Sequence, residues 1–350
     1  MQRRILMHLL LAGTACVLPA CGRERARGEV LRALIERIVV PNTTALAEHS
    51  RRLEVESAGL VADPTPSTLR DVRQSWRRAL SSWKRVEAFR LGPIAESNSL
   101  MRAMFWPVRA AGLEGLLQGT QTLDHASIDS MGVDRRGLFA LEYLLFSEAA
   151  EEECAARFAG PAGERRASLA RALAGNVSFH ADNLVRSLGS GKTFADKLAD
   201  GGQDSLNRLV AQLVFTVENV SANRLARTSR LVKTSTFKRS DTEGGLSGTS
   251  REIALTYLRA TQQLYLGEER GLCRLVSAQS ATVDRALRSA FAQAIIAVAD
   301  LGGPLEEAAQ RDPGRFDAAA DSVKKLERTL KVDLASVLGV TSTFASVDGD

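Results

Sequence analysis

Apolar residues recur along most of this chain three or four positions apart, which is the spacing of an amphipathic helix. The two clearest apolar stripes are Leu31, Leu34, Ile35, Ile38 and Val39, and then Leu69, Val72, Trp76, Leu80, Trp83, Val86 and Phe89. Weaker stripes predict helices over residues 101–118, 169–188, 205–220, 250–278, 282–301 and 316–338, and a short buried helix over 137–148. Because no segment alternates long enough to predict a sheet, the pattern indicates an all-α protein.

Breaks in the helical pattern indicate how the chain is organised. Pro41 is expected to kink or divide the first helix, because proline lacks the N–H that a helix interior needs. Residues 119–135 and 238–250 are polar and are expected to form loops, and the Gly- and Ser-rich segment 189–202 is the best internal boundary. We therefore predict two helical-bundle halves packed together. The predicted divisions are a signal peptide over residues 1–20, an N-terminal half over 21–200 and a C-terminal half over 201–350.

The first residues have the pattern of an export signal, since Arg3 and Arg4 precede a short apolar run that ends in Leu18-Pro19-Ala20-Cys21. This ending resembles the signal box of bacterial lipoproteins, in which the cysteine is lipidated and becomes the first mature residue. We therefore predict that acyl chains on Cys21 hold the protein to a membrane, with the folded part in the periplasm. Gly22 follows in place of Asp, which by the same resemblance favours the outer membrane. Ordinary secretion with cleavage near the same place is the alternative.

Composition and charge exclude several classes of protein. Hydrophobic residues make up 45% of the 350 positions and charged residues 25%, which is typical of a globular protein and not of a disordered or fibrous one. The net charge is only +5, and no basic tract is interleaved with aromatic residues, so we expect no nucleic-acid partner. The sequence also lacks the His-Glu-x-x-His, phosphate-loop and Gly-x-Ser-x-Gly motifs of common enzyme classes.

Two cysteines, Cys154 and Cys273, remain after removal of the signal and lipidation of Cys21. In an oxidising periplasm they can form a disulfide, but their spacing has no framework pattern. Two separate buried thiols are therefore the favoured interpretation.

Four segments together carry a resemblance to a known family. They are Trp76-Arg77 with Trp83 and Glu87-Ala88-Phe89-Arg90-Leu91-Gly92-Pro93, then Phe105-Trp106-Pro107-Val108, then Gly137-Leu138-Phe139-Ala140-Leu141-Glu142-Tyr143-Leu144-Leu145-Phe146, and the ending Leu338-Gly339-Val340 with Phe344 and Asp348-Gly349-Asp350. In order and spacing they resemble the imelysin family, also called peptidase family M75. The resemblance implies an all-helical fold with two bundle-like halves, found on bacterial periplasmic or outer-membrane lipoproteins. Some members are linked to iron uptake, and some were named as peptidases.

The hallmark of that family is Gly-x-His-x-x-Glu, which places a histidine and a glutamate on one helix face, close enough to share a metal ion. Here Gly137 and Glu142 match, but Phe139 stands at the histidine position and has no lone pair for a metal. No catalytic residue is therefore assigned, and an enzyme is the less favoured interpretation. Glu87 and Glu142 could still bind iron or another divalent metal through oxygen. The favoured alternative pairs Glu142 with Arg77 or Arg109, because a buried charge needs a partner.

Three functions follow from the resemblance, in order of preference. The first is a ligand-binding envelope lipoprotein related to iron or metal uptake, with a pocket between the two halves lined by Glu87, Trp106, Arg109 and Glu142. The second is a non-catalytic structural or interaction module that presents a surface to an envelope protein. The third is an M75-type metallopeptidase, against which Phe139 speaks. The sequence does not identify the ligand.

Overall fold

The computed structural model describes residues 17–147, 150–189 and 191–341, and within these ranges it is helical and contains no β-strand. The helices are α1 (Val17–Leu34), a first π-helical segment (Ile35–Val39), α2 (Val40–Ala62), α3 (Pro66–Glu87), α4 (Pro93–Glu96), α5 (Ser99–Met104), α6 (Ala110–Gln118), α7 (His125–Asp129), α8 (Gly137–Leu145), α9 (Glu151–Ala156), α10 (Gly160–Leu188), α11 (Gly191–Asp200), α12 (Gly202–Glu218), a second π-helical segment (Asn219–Ala226), α13 (Arg227–Leu231), α14 (Ser250–Leu266), α15 (Leu272–Gln279), α16 (Ala281–Ala299), α17 (Leu305–Arg311), α18 (Pro313–Thr329), a third π-helical segment (Leu330–Leu334) and α19 (Ala335–Val337). Short 3₁₀ turns lie at 133–135, 239–241 and 267–269.

The N-terminal bundle is built from α2, α3 and α10, with α8 packed against α3 and α10. Its core contains Trp76 and Trp83, which are fully buried on the stripe that the sequence predicts for α3. Each indole N–H finds an acceptor: Trp76 Nε1 donates to the carbonyl of Leu138 at 2.8 Å, and Trp83 Nε1 donates to Ser50 Oγ at 3.2 Å. Both rings therefore bury a large apolar surface without leaving a polar atom unsatisfied.

The C-terminal bundle is built from α12, α14, α16 and α18. Helix α14 also packs against α3, which joins the two bundles and brings the segment before α14 close to α8. The prediction of an all-α fold with two packed bundle halves is confirmed. Cys154 and Cys273 are both buried free thiols, one in each bundle. The division of the chain at residue 200 stays a prediction.

Local features of the chain decide where several helices end. The helix predicted over 101–118, with Pro107 inside it or near a break, is two helices, α5 and α6, because Pro107 disfavours helical backbone at the residue before it. The helix predicted over 250–278 ends at Leu266, since Gly267 adopts the left-handed conformation that stops a helix. The segment 189–202 contains α11, which packs on α1, and its role as the internal boundary stays a prediction.

Proline 41 lies in the first turn of α2, where a missing N–H costs little, and the first π-helical segment separates α2 from α1. The predicted signal lies outside the described residues as far as residue 16, and so does the predicted ending from Phe344 to Asp350. Residues 17–21 are helical as the start of α1. No helix in the described part of the chain is long and apolar enough to cross a membrane.

Candidate functional site

Helix α8 carries the motif residues and begins at a glycine that the packing requires. Gly137 has φ +82°, and a Cβ at this position would lie 2.4 Å from the carbonyl oxygen of Ala103 at the end of α5. Such a contact is far below van der Waals distance, and left-handed backbone already disfavours other residues. The glycine of the motif is therefore explained by the close approach of α8 to α5.

Glu142 is buried in α8, with 3% of its surface exposed. Its Oε1 accepts hydrogen bonds from the backbone N–H of Ser247 at 3.0 Å and from Ser247 Oγ at 2.5 Å. Burial raises the pKa of Glu142 to about 7, against the opposing effect of these two donors. The carboxylates of Glu243 and Glu306 raise this pKa further.

The arginine partner expected for Glu142 is replaced by a serine. Within the described part of the chain, no ion pair reaches Glu142. The guanidinium of Arg77 donates instead to the carbonyl of Ser247 at 3.5 Å. The side chain of Arg109 is 73% exposed, and its Nε lies 3.7 Å from Asp134 Oδ2. The prediction that an arginine neutralises Glu142 is therefore wrong.

A second group of polar side chains, buried or half-buried, lies next to α8, and we call it the Lys84 cluster: Lys84, Glu87, Arg224, Glu243 and Tyr257. Lys84 Nζ lies 2.7 Å from Glu243 Oε1 and 3.1 Å from Glu87 Oε2. Arg224 forms an ion pair with the other oxygen of Glu243, and the hydroxyl of Tyr257 donates to Glu87 Oε2. Arg224 comes from the second π-helical segment, a kind of distortion that is frequent at functional sites.

Charge pairing keeps Lys84 and Glu243 ionised in spite of burial. Burial alone would lower the pKa of Lys84, but the carboxylates of Glu243 and Glu87 outweigh it and hold that pKa above its ordinary value. Burial would raise the pKa of Glu243, but Arg224 and Lys84 lower it to about 2. Burial and the nearby carboxylate of Glu87 raise the pKa of Tyr257.

Phe139 connects the motif to the Lys84 cluster. Its ring is fully buried, and Lys84 Nζ lies 5.4 Å from the ring centroid. The same ammonium lies 5.4 Å from the centroid of the Tyr257 ring. Both distances are within the range of cation–π attraction, which is strongest when the cation is desolvated.

The residues of this region do not form a metal site of the usual kind. In the ranges that the structure describes, no group of three or more His, Cys, Asp or Glu side chains could hold a metal ion. Glu87 is bound by Lys84 and Tyr257, whereas Glu142 is bound by Ser247. The assignment of Glu87 and Glu142 as metal ligands stays a prediction.

A cavity of roughly 440 Å³ opens beside the Lys84 cluster. Of the four residues predicted to line a pocket, Glu87 and Trp106 are among its lining residues and Arg109 and Glu142 are not. The guanidinium of Arg227 lies 5.2 Å from the Trp106 ring centroid. The charged or amide side chains of the lining are Lys84, Glu87, Arg90, Asn219, Asn223, Arg224, Arg227, Asp241 and Glu243.

Sequence reasoning missed most of the Lys84 cluster. Lys84 follows Leu80 by four positions on the apolar stripe of α3, so a charge on a buried face was the available signal. Glu243 and Ser247 lie in the segment predicted as an exposed polar loop, yet the side chain of Glu243 is only 13% exposed and Ser247 is buried. Nothing in the local sequence distinguishes these two residues from solvated loop residues.

Comparison with known proteins places this chain in a family. A model of imelysin, peptidase family M75, matches residues 39–331. No curated protein matches the chain. The fold is similar to the crystal structure of a protein described as an iron-regulated protein A precursor from Parabacteroides distasonis, with a TM-score of 0.76 and 14% identity over 90% of this chain and 95% of that one.

A second similar structure is an imelysin-like protein from Psychrobacter arcticum, with a TM-score of 0.74 and 17% identity over 91% of this chain and 96% of that one. At these identities the two structures establish the fold alone. The family match spans most of the chain, including α8 and the Lys84 cluster. The chain therefore belongs to the imelysin family.

Proposed function

We propose that this protein is an imelysin-like binding component of the bacterial envelope, lipid-anchored through Cys21 and related to iron or other metal uptake. The export signal read from the sequence and the family match support this proposal. The iron-regulated description of one structural neighbour points the same way, although it belongs to that protein.

The observation that carries the proposal is the cavity beside the Lys84 cluster. Its volume of roughly 440 Å³ lies in the range of small-molecule sites. Phe105 and Trp106 give the lining an aromatic, apolar part, and other lining residues carry charged and amide groups. An arrangement of a few polar groups beside apolar surface is typical of sites that bind small molecules.

The charges of the lining favour an anionic ligand. Lys84 and Arg224 are neutralised by carboxylates inside the protein. Among the described residues, no carboxylate forms an ion pair with Arg90 or Arg227, and both arginines are among the lining residues of the cavity. Arginine forks suit carboxylate and similar oxyanion groups. If a metal is taken up as a complex with an anionic chelator, the chelator would contact these two arginines.

A peptidase role is not supported by the motif. A zinc peptidase needs nitrogen or carboxylate ligands that leave one position open for water. Phe139 supplies none, and Lys84 lies beside its ring. An interaction module without a small ligand remains the second hypothesis, and the binding experiment below decides between the two.

Titration calorimetry tests the proposal directly. We expect the purified protein to bind ferric citrate or free citrate, and the variants Arg90→Ala and Arg227→Ala to weaken that binding about tenfold each, since each loses one charge-assisted contact. Arg109→Ala is the matched control, because this arginine lies outside the cavity lining. The absence of binding to any chelate, or an equal loss in the control, would exclude this cavity as the site.

The anchor is tested separately in cells. We expect the wild-type protein to fractionate with membranes and to incorporate labelled fatty acid. Cys21→Ser should appear in the soluble fraction without label, because two or more acyl chains are needed for stable attachment. Membrane attachment that survives this substitution would contradict lipidation at Cys21.

A further inference from the structure

The place where the family motif has its histidine is occupied here by an aromatic ring facing a buried cation. Phe139 and Glu142 are three residues apart in α8 and so lie on one face of that helix. Lys84 Nζ lies 5.4 Å from the Phe139 ring centroid. The lysine comes from α3, which packs directly against α8.

Lys84 is held there by carboxylates and not by water. Only 2% of its surface is exposed, and its ammonium donates to Glu243 at 2.7 Å and to Glu87 at 3.1 Å. Two cations, Lys84 and Arg224, face two carboxylates in this cluster. The charges therefore balance without a bound ion, and the buried cations need no further counter-charge.

A metal ion at this position would meet three obstacles. Phe139 cannot donate a lone pair. The oxygens of Glu87 and Glu243 that face the site already accept hydrogen bonds from Lys84. A divalent ion would also be repelled by the fixed ammonium, since like charges a few ångströms apart interact strongly where water is excluded.

We propose that Lys84 is the resident cation of the motif region, so that its ammonium permanently fills the role a bound metal ion would have and makes this region metal-independent. The inference goes beyond the proposed function, because it concerns the buried centre and not the ligand of the neighbouring cavity. The two proposals can fail separately: one is read out by binding of bare metal ions and the other by binding of a chelate.

The experiment compares Zn²⁺ binding and melting temperature in the wild type, Phe139→His, Lys84→Met and the double variant Lys84→Met/Phe139→His. We expect neither Zn²⁺ nor a chelator to shift the melting temperature of the wild type or of Phe139→His. The double variant should bind Zn²⁺ at least about tenfold more tightly than the wild type or Phe139→His does. It combines a nitrogen ligand at position 139 with the carboxylates of Glu87 and Glu243, which no longer pair with the Lys84 ammonium.

Lys84→Met alone should melt about 10 °C below the wild type, because it leaves the carboxylates of Glu243 and the half-buried Glu87 with one cation. Lys84→Arg is the matched control, since it keeps the charge, and it should lose much less. A melting temperature of Lys84→Met equal to that of the wild type would overturn the proposal.

Three binding results would also overturn it. They are tight Zn²⁺ binding by Phe139→His with Lys84 still present, no gain of Zn²⁺ binding in the folded double variant, and a Zn²⁺-dependent rise in wild-type melting temperature that Glu87→Gln removes. The wild-type and Phe139→His arms decide the question even where loss of Lys84 prevents folding.

Discussion

Glu142 in α8 and Glu243 in the loop before α14 are close enough that the charge of Glu243 raises the pKa of Glu142. Their own pKa values nevertheless move in opposite directions. Burial disfavours the charged form of each. Glu142 receives only N–H and O–H donors from Ser247, and its pKa rises to about 7. Glu243 receives two cations, Arg224 and Lys84, and its pKa falls to about 2. In this pair of residues, the two donors of Ser247 do not offset burial, whereas the two cations do.

Glu306 belongs with Glu142 in this comparison. It is buried, its Oε2 accepts from Ser250 Oγ at 2.7 Å, and the same hydroxyl accepts from the backbone N–H of Leu305 at 2.9 Å. Burial raises the pKa of Glu306 as well. Glu142 and Glu306 therefore accept hydrogen bonds from serine, whereas Glu243 is paired with two cations.

The largest effect is expected from Glu243→Gln. This variant leaves two cations, Lys84 and Arg224, with Glu87 as the remaining carboxylate of the Lys84 cluster. Breaking a buried ion pair from one side costs about 3–5 kcal/mol of unfolding free energy. Glu142→Gln is the matched control, and at pH 7 it should be at least as stable as the wild type, because the amide resembles the neutral acid. Urea denaturation of both variants checks this, and a larger loss in Glu142→Gln would reverse the comparison.

The pH dependence of stability should separate the two residues. The pKa of Glu142 is raised from 4.5 to about 7, so its contribution is complete below pH 4.5 and is lost as the pH rises through 7. The pKa of Glu243 is lowered from 4.5 to about 2, so its contribution is present above pH 4.5 and is lost as the pH falls through 2. Each change is worth at most about 3 kcal/mol.

Unfolding free energies of the wild type and the two glutamine variants between pH 2 and 8 measure these slopes. Relative to the wild type, Glu142→Gln should gain stability as the pH rises from 4.5 to 8. The deficit of Glu243→Gln should shrink as the pH falls from 4.5 to 2. Parallel curves for the wild type and both variants would show that neither carboxyl group titrates as its surroundings imply.

A smaller effect is expected from Ser247→Ala, which removes the hydroxyl donor of Glu142 and leaves the backbone donor. The loss should be about 1–2 kcal/mol, and the pKa of Glu142 should rise further, because the ionised form loses a hydrogen bond. Carbon-13 NMR titration of the glutamate side chains measures the pKa. Tyr257→Phe is the control, because it removes a hydrogen-bond donor of Glu87 and none of Glu142. In this variant the pKa of Glu142 should stay near 7.

The smallest effect is expected from Arg109→Ala. Its side chain is 73% exposed and lies 3.7 Å from Asp134, so the pair is screened by water. Such surface pairs contribute about 0.5 kcal/mol or less to the unfolding free energy. A thermal melt that shows a loss comparable to that of Ser247→Ala would mean that Arg109 interacts with the buried carboxyl groups after all.

Much of the fold followed from residue spacing. The stripe from Leu69 to Phe89 predicts α3 and its buried tryptophans, and both rings are buried there. Gly137 marks the start of α8, where the apolar segment 137–148 predicts a short buried helix. Helix ends were less predictable, since the left-handed backbone at Gly267 and the π-helical segments depend on how neighbouring helices pack.

Half of the predicted pocket residues lie at the cavity: Glu87 and Trp106 line it, and Arg109 and Glu142 do not. The resemblance places Glu87 and Glu142 near one another, but it does not say which side of a helix each occupies after packing. Arg109 precedes α6 and reaches solvent. Glu142 instead faces the loop before α14, whose closeness to α8 no local pattern encodes.

The spacing of apolar residues was enough to predict the helices and the class of fold, because each helix buries an apolar face that recurs with the helical period. The motif residues showed directly that Phe139 replaces the histidine. The partners of the buried charges were not specified in that way. Lys84, Arg224, Glu243 and Tyr257 come from α3, the second π-helical segment, a loop and α14, and they meet because α3 packs on α14. Charge state follows from such distant neighbours together with Glu87 on the same helix as Lys84, since charges attract strongly where water is excluded.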